Sequence, residues 1–286
     1  MERGPKRRSR RSRALRLLRR LEPRRALFAL PNLFTLSSVF CGFFAIVVAS
    51  GNSSPRRLSQ AVLAVFFAVF FDMADGRVAR LTRTQSAFGV QLDSLADVIA
   101  FGVAPAAIVY AWSLRALGAM GMLVAVIYVS CGAMRLARFN VLASRVSGAS
   151  HYFMGLPIPV AAGALTSVVM VYQQGLMSPP RSATPIVALV LLLSFLMISN
   201  VRYRTFKDLR LSGKAIALIA SVLLTLAILA ALVNPALALL TLFAAYVIVG
   251  LFEEIIFFRR RRREKNSALP PAPSADAPPP RKEDSP

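Results

Sequence analysis

Long apolar runs recur along the whole chain and are separated by short polar stretches. A hydrocarbon core about 30 Å thick is crossed by roughly 20 helical residues, and each run has about that length. The pattern therefore predicts an all-α integral membrane protein with about eight transmembrane helices. The runs cover residues 33–50, 59–78, 87–111, 118–139, 157–173, 183–200, 213–233 and 236–256.

Composition supports a membrane protein over one or two soluble domains, because 56% of the 286 residues are hydrophobic. The flanks of the apolar region differ from it. We predict a basic N-terminal arm over residues 1–30 with an amphipathic juxtamembrane segment, and a transmembrane domain over residues 31–258. Residues 259–286, which begin with an arginine run and continue rich in Pro and Ala, are predicted to be a disordered tail.

Loop charges predict the orientation of the helices, because Lys and Arg concentrate on the cytoplasmic side. With the N-terminus inside, the outer connections carry four basic residues: Arg56, Arg57, Arg115 and Arg181. The inner connections and helix ends carry eleven: Arg77, Arg80, Arg83, Arg135, Arg138, Arg145, Arg202, Arg204, Lys207, Arg210 and Lys214. We therefore expect a multi-pass protein of the cytoplasmic (inner) membrane with both termini cytoplasmic.

The net charge of +22 would suggest nucleic-acid binding in a soluble protein. Here the basic arm is better explained as a segment that lies on an anionic phospholipid surface, because it is next to an apolar span. Nucleic-acid binding is the rival interpretation. The arm has no interleaved aromatic platform and no recognised nucleic-acid module, so no nucleic-acid partner is expected.

Four aspartates interrupt the second and third apolar runs, and they are the strongest signal in the sequence. Asp72, Asp75, Asp93 and Asp97 are the only acidic residues between Glu22 and Asp208. A carboxylate at the centre of a membrane helix costs about 2.5–3.5 kcal/mol even on lenient insertion scales. Four together therefore indicate a functional site with a compensating partner.

Helical periodicity shows how this site is shaped. One stripe of the first segment carries Asp72, Asp75, Gly76, Ala79 and Arg80, and one face of the second carries Gly89, Asp93 and Asp97. If the two segments form an antiparallel pair, the four carboxylates converge. Two divalent cations would balance their charge, and oxygen-only ligands favour Mg²⁺ or Mn²⁺. The alternative is that the acids pair with arginines only to hold helices together.

The spaced pattern DxxDGxxAR, eight residues, GxxxDxxxD runs from Asp72 to Asp97. It resembles the signature of the CDP-alcohol phosphatidyltransferases, integral membrane enzymes of phospholipid synthesis. The resemblance implies a polar active-site cavity that opens to the cytoplasmic side. It also implies that Asp72, Asp75, Asp93 and Asp97 hold two metal ions, with Asp97 as the general base.

Further residues are expected to bind the CDP-lipid. The element Pro31-Asn32-x-x-Thr35 is predicted to open the first helix, because proline fits a helix start. On composition alone it is a capped helix entry, whereas in the family a similar element lines the nucleotide pocket. The resemblance extends this set to Gly76, Ala79, Arg80, Ser86 and Gly89.

Arg135, Arg138 and Asn140 end the fourth run. The two arginines are three residues apart and can point the same way, so with the amide they could hold a carboxylate. From spacing alone, a positively charged inner helix end is the better explanation of them. This run and later segments resemble the phosphatidylserine synthase branch of the family, which implies CDP-diacylglycerol and L-serine as substrates.

Two alternatives to that interpretation stay open at this stage. The acceptor could be glycerol 3-phosphate or inositol phosphate instead of serine, because several arginines could bind an acceptor phosphate. From a different class of protein, the four acids could line an ion pathway in a transporter. The oligomeric state also stays open, with a homodimer as one possibility.

The loop-charge bias generates a prediction about orientation. A reporter enzyme that works only in the cytoplasm should be active when it is fused after Arg263. A cysteine introduced at Ser53 should react with a membrane-impermeant thiol reagent in intact cells. Reaction of that cysteine only after lysis would show that the orientation is inverted.

Overall fold

The computed structural model describes residues 23–51, 54–82, 86–145, 152–175, 182–199, 202–204 and 234–250, with the isolated positions 224, 228 and 232. These residues are almost entirely helical. The helices are α1 (Pro23–Ser50), α2 (Pro55–Thr82), α3 (Ala87–Asp97), α4 (Ala104–Trp112), α5 (Ala119–Arg145), α6 (Ile158–Gln173), α7 (Thr184–Ile198) and α8 (Pro235–Gly250). A π-helical segment (Val98–Val103) joins α3 to α4, and a 3₁₀ turn (Leu114–Leu117) follows α4.

Within the described ranges, four helical stretches are long and apolar enough to cross a membrane: Leu30–Ser50, Pro55–Thr82, Ala87–Trp112 and Ala119–Leu142. The shorter apolar helices α6, α7 and α8 coincide with three further predicted spans. The all-α membrane class is therefore confirmed. The predicted run 213–233 lies almost wholly outside the described residues, so the count of eight spans stays a prediction.

Small residues allow α1 to pack closely against its neighbours. The buried face of α1 recurs every three or four residues, as Thr35, Ser38, Gly42, Ala45 and Ala49. A Cβ atom added at Gly42 would lie 2.7 Å from the Cα of Ala100 in the π-helical segment. Only a residue without a side chain fits there, as is common where membrane helices cross closely.

The π-helical segment between α3 and α4 has a local cause. Pro105 has no backbone N–H, and a proline ring clashes with the carbonyl four residues earlier in an α-helix. The carbonyl in that position, on Phe101, instead accepts a hydrogen bond from the buried Tyr128 hydroxyl at 3.2 Å. Single π-turns of this kind often occur at functional sites, and this one begins immediately after Asp97.

A short antiparallel pair ties together two connections at one end of the helices. Strand β1 (Tyr152–Met154) pairs with β2 (Arg202–Arg204), with Phe153 opposite Tyr203. The chain then turns at Gly155, whose φ of +82° suits glycine, and the Leu156 N–H donates to the Leu196 carbonyl at 3.0 Å. The start of α6 is thereby fixed to the end of α7.

The last described helix, α8, also docks on the helical domain. The Phe243 ring lies 6.4 Å from the Phe66 ring in a stacked arrangement. On its other side the ring fills the space left by Gly163 on α6, where a Cβ atom would collide with it. These contacts place α8 against both α2 and α6.

The predicted start of the first helix is wrong. Helix α1 begins at Pro23, and Pro31 lies inside it. The preceding residues are rich in Arg, Ala and Leu, which have high helix propensity and extend the helix N-terminally. The Pro31 carbonyl is one acceptor of the Thr35 hydroxyl, at 3.1 Å, so the proline lies within a polar patch of the helix.

The close approach of α1 to the π-helical segment generates a stability prediction. Gly42→Ala should destabilise the protein by about 1–3 kcal/mol, because the new methyl group meets backbone atoms. Gly102→Ala is the matched control, since its Cβ would have no contact closer than 3.8 Å. Thermal unfolding in detergent should separate the two variants, and equal stability of Gly42→Ala and the parent would contradict the packing.

Candidate metal and substrate site

Three of the four aspartates converge between α2 and α3. One carboxylate oxygen from each of Asp72, Asp75 and Asp93 lies within 4.8 Å of the others. Asp75 is buried, and the other two are half-buried. Helix α2 ends at Thr82 and α3 begins at Ala87, so a short connection returns the chain and brings the two acidic faces together. The convergence expected from helical spacing is confirmed for these three side chains.

Asp97 lies at the edge of this cluster. Its carboxylate comes within hydrogen-bonding reach of the Asp72 carboxylate, and it also interacts electrostatically with Asp93. Asp97 is the last residue of α3, at the point where the wider π-turn begins. Its other neighbour is the Arg135 guanidinium of α5. Asp97 therefore lies between the acidic cluster and a cation.

Thr35 supports one of the clustered carboxylates. Its hydroxyl donates to Asp75 Oδ2 at 2.8 Å, and the Pro31 carbonyl oxygen is a second acceptor at 3.1 Å. A hydroxyl has one proton, and the bond to the charged and nearer oxygen is the stronger. Helix α1 thus contributes to the site through a side chain that orients Asp75.

The structure brings together three residues predicted to contact the CDP-lipid. A Cβ atom at Gly89 would lie 3.1 Å from Ser86 Oγ and 3.6 Å from Asn32 Oδ1. Ser86 caps α3, because its Oγ accepts the Gly89 N–H at 3.0 Å. The absence of a side chain at Gly89 therefore leaves a polar corner formed by an amide, a hydroxyl and a helix N-terminus.

The rest of the predicted CDP-lipid set lies along α2. A Cβ atom at Gly76 would meet no other described atom within 4 Å, so space is open beside the backbone next to Asp75. Arg80 is exposed, and its Nε donates to the Gly76 carbonyl at 2.9 Å. Ala79 is half-buried in the same turn. This surface has room for a ligand and a cation at its rim.

The residues predicted to bind the acceptor separate into different environments. Arg135 is only 8% exposed and lies 5.9 Å from the Phe139 ring centroid, close to Asp97. Arg138 is exposed and donates to the Ile198 carbonyl at 3.4 Å. The two arginines therefore do not share the position that their spacing allowed.

Asn140 contacts α3, the helix that carries Asp93 and Asp97. Its Nδ2 donates to Ser94 Oγ at 2.9 Å, beside Asp93. Sequence reasoning missed Ser94, although its place within the aspartate motif was an available signal. Tyr246 of α8 was also missed, and it lies within electrostatic range of Arg135. No sequence signal links Tyr246 to the motif.

The cluster fits a divalent cation. Three carboxylates so close together repel each other strongly unless positive charge lies between them. Their donor atoms are all oxygens, which hard cations such as Mg²⁺ and Mn²⁺ prefer. The residues that would hold the ion are Asp72, Asp75 and Asp93, with Asp97 adjacent.

A membrane-embedded helical domain with an aspartate cluster between two helices defines the class of protein. The model of the CDP-alcohol phosphatidyltransferase family matches residues 28–198. The chain belongs to this family and is an enzyme of it.

Three curated relatives from different organisms are similar to this chain over most of their own length. A CDP-diacylglycerol–serine O-phosphatidyltransferase of Helicobacter pylori is 40% identical over 197 residues, which are 69% of this chain and 81% of the relative. The enzyme of the same name from Bacillus subtilis is 33% identical over 62% of this chain and 91% of its own. An archaetidylserine synthase of Methanothermobacter thermautotrophicus is 38% identical over 61% of this chain and 69% of the relative.

The contact between Thr35 and Asp75 generates a prediction about metal affinity. Thr35→Val should weaken Mn²⁺ binding by about 10- to 100-fold, because residues that orient metal ligands have effects of that size. Thr35→Ser keeps the hydroxyl and should retain most of the affinity. Mn²⁺ binding to purified protein can be followed by electron paramagnetic resonance, and equal affinity of both variants would contradict this role of the hydroxyl.

Proposed function

We propose that this protein transfers the phosphatidyl group of CDP-diacylglycerol to the hydroxyl of L-serine, giving phosphatidylserine and CMP. The observation that carries the proposal is the acidic cluster of Asp72, Asp75 and Asp93, with Asp97 in hydrogen-bonding reach of Asp72 and in electrostatic range of the buried Arg135. This arrangement suits a reaction that joins a pyrophosphate donor to an acceptor bearing a carboxylate.

The donor end of the site comprises the acidic cluster and the neighbouring polar corner. Asp72, Asp75 and Asp93, with Asp97, would hold two Mg²⁺ or Mn²⁺ ions, which would neutralise the donor pyrophosphate and the charge that develops on it. Asn32, Ser86 and Gly89 would contact the nucleotide. Pro31, Thr35, Gly76, Ala79 and Arg80 complete the proposed CDP-lipid set.

Asp97 is the proposed general base. A serine hydroxyl is a very weak acid, so a carboxylate must remove its proton as the oxygen attacks. The serine oxygen forms a bond to the lipid-side phosphorus, the bond from that phosphorus to the CMP oxygen breaks, and the proton moves to the Asp97 carboxylate. CMP is the leaving group, and no covalent intermediate with the protein is needed.

Arg135 is the proposed partner of the serine carboxylate. It is buried beside the base, and a guanidinium presents a planar fork that matches a carboxylate. Asn140, held near Asp93 through Ser94, would contact the same substrate. Arg138 lies further out and would act at the entrance. The names of relatives that act on different lipids both include serine, which favours serine over glycerol 3-phosphate or inositol phosphate.

The proposed orientation places this chemistry on the cytoplasmic side. With both termini inside, α2 ends and α3 begins at the cytoplasmic face of an inner membrane. Asp93 and Asp97 then lie about 9–15 Å from the start of α3, at 1.5 Å per residue. A cavity at that depth would let acyl chains stay in lipid while the nucleotide reaches water. Membership of a transferase family argues against the ion-transporter alternative.

The decisive assay uses membranes that contain this chain, radiolabelled CDP-diacylglycerol and one acceptor at a time: serine, glycerol 3-phosphate or inositol phosphate. Serine should give labelled phosphatidylserine. EDTA should abolish the reaction, and Mg²⁺ or Mn²⁺ should restore it. Product from another acceptor alone would overturn the serine assignment, and full activity in chelator would overturn metal dependence.

Asp97→Asn tests the base separately from donor binding. Because a general base contributes about 10²–10⁴-fold, kcat should fall by that factor while binding of the CDP-lipid changes little. Ser50→Ala is a control at the far end of α1, where the hydroxyl bonds only to its own helix in the described part of the chain. Loss of CDP-lipid binding with unchanged kcat would assign Asp97 to the donor site instead.

A further inference from the structure

Ser94 lies inside the aspartate motif, directly after Asp93 on α3. Its hydroxyl takes part in two hydrogen bonds. Oγ donates to the Val90 carbonyl of the same helix at 3.0 Å, and it accepts a bond from Asn140 Nδ2 of α5 at 2.9 Å. A single hydroxyl within the motif thus connects α3 to a residue of the proposed acceptor site.

The bond to Val90 determines which end of the Asn140 amide meets Ser94. A hydroxyl carries one proton and two lone pairs. In helices the serine proton often goes to the carbonyl four residues earlier, and Ser94 follows this pattern. Oγ then offers only lone pairs, so it binds the amide NH₂ and not the amide oxygen. Nδ2 is therefore held at Ser94, and Oδ1 takes the opposite corner of the amide, where it can accept a bond from another group.

Asn140 and Arg135 are spaced to bind the two ends of one small acceptor. Asn140 follows Arg135 by five residues on α5, which is about 7.5 Å along the helix axis. An α-amino acid that makes one hydrogen bond through its carboxylate and another through its ammonium spans a comparable length, because each bond adds about 2.9 Å. Asn140 contacts α3 at Ser94, and Arg135 is within electrostatic range of Asp97, one turn further along α3.

We propose that Asn140 Oδ1 accepts a hydrogen bond from the ammonium group of the acceptor, and that Ser94 is a positioning residue that keeps the amide in this direction. The proposal rests on the function proposed above, because it takes serine as the acceptor. An ammonium group has only donors, whereas a phosphate offers mainly acceptors, so a carbonyl oxygen here favours an amino acid over glycerol 3-phosphate or inositol phosphate. A site that binds a substrate N–H discriminates against compounds that lack it.

Ser94→Ala removes the group that holds Nδ2 and lets the amide rotate. The KM for serine should rise about three- to tenfold, the range expected for one hydrogen bond of ordinary strength. The kcat should stay within about twofold and the KM for the CDP-lipid should not change, because the amide acts on acceptor binding. Ser94→Thr keeps a hydroxyl that can bond to the same carbonyl, and it should keep the serine KM near the parent value.

A serine analogue without the ammonium separates this role from a purely structural one. The analogue 3-hydroxypropanoate keeps the hydroxyl and the carboxylate of serine and has hydrogen in place of the amine. Its inhibition constant against serine should be the same in Ser94→Ala and in the parent, because it has no ammonium for Oδ1 to bind. If that constant rose as much as the serine KM, Ser94 would only join two helices, and the proposal would be overturned. An unchanged serine KM would overturn it as well.

A double-mutant cycle tests whether Ser94 acts through Asn140, and it decides equally where the analogue binds too weakly to be measured. Asn140→Ala should raise the serine KM about ten- to hundredfold, as expected for a hydrogen bond to a charged group. On this background Ser94→Ala should cause no further rise, and multiplying effects would overturn the proposal. If Asn140→Ala does not accumulate in membranes, Asn140→Asp replaces it. Its two oxygens are alike, so no direction is left for Ser94 to set, and the same absence of a further rise is expected.

Ser194→Ala is the matched control. The Ser194 hydroxyl donates to the Val190 carbonyl four residues earlier at 2.7 Å, as Ser94 does to Val90, but it lies on α7 outside the proposed site. Both KM values should stay at the parent level. The parent is assayed first with each acceptor, and failure to use serine would overturn the proposed function before any variant is compared. A parent that uses serine, with an unchanged serine KM in Ser94→Ala, would overturn only the role of Ser94.

Discussion

The constraint on which this structure depends is the burial of carboxylates within apolar helices. An isolated carboxylate in hydrocarbon is costly, so Asp72, Asp75 and Asp93 are tolerable only where they share compensating charge. Placing them on two helices joined by a short connection lets their oxygens come within 4.8 Å of one another. The repulsion between these carboxylates would be relieved by a bound cation, which would link the stability of the site to its proposed chemistry.

The surrounding helices make that cluster rigid and accessible. Small residues along α1 let it lie against the π-helical segment, and this proximity allows Thr35 to reach Asp75 at 2.8 Å. No atom of the described residues lies within 4 Å of a Cβ position at Gly76, which leaves room for the head group of the proposed donor. The π-turn that Pro105 helps to cause begins at Asp97, so the direction of the helix changes where the proposed base is located.

The acceptor side is built from elements that are distant in sequence. Arg135 on α5 is buried within electrostatic range of Asp97 on α3, and Asn140 bonds to Ser94. A cation at this point lowers the cost of the nearby negative charge and offers a carboxylate a partner. In the proposed function, the acidic cluster would take the donor and the basic residues the acceptor, which would give the two substrates different places on either side of Asp97.

The sequence by itself determined the class of fold, the acidic site and the family resemblance. Those features depend on hydrophobic run length and on helical spacing within segments of a few turns, which local geometry controls. The tertiary structure alone decided that Pro31 lies inside α1, and that Arg135 turns inward while Arg138 stays exposed. Spacing of three residues permits two arginines to share a face, but packing between helices determines which side chain is buried. Contacts of α8 with α2 and α6 join residues far apart along the chain, and no local periodicity records them.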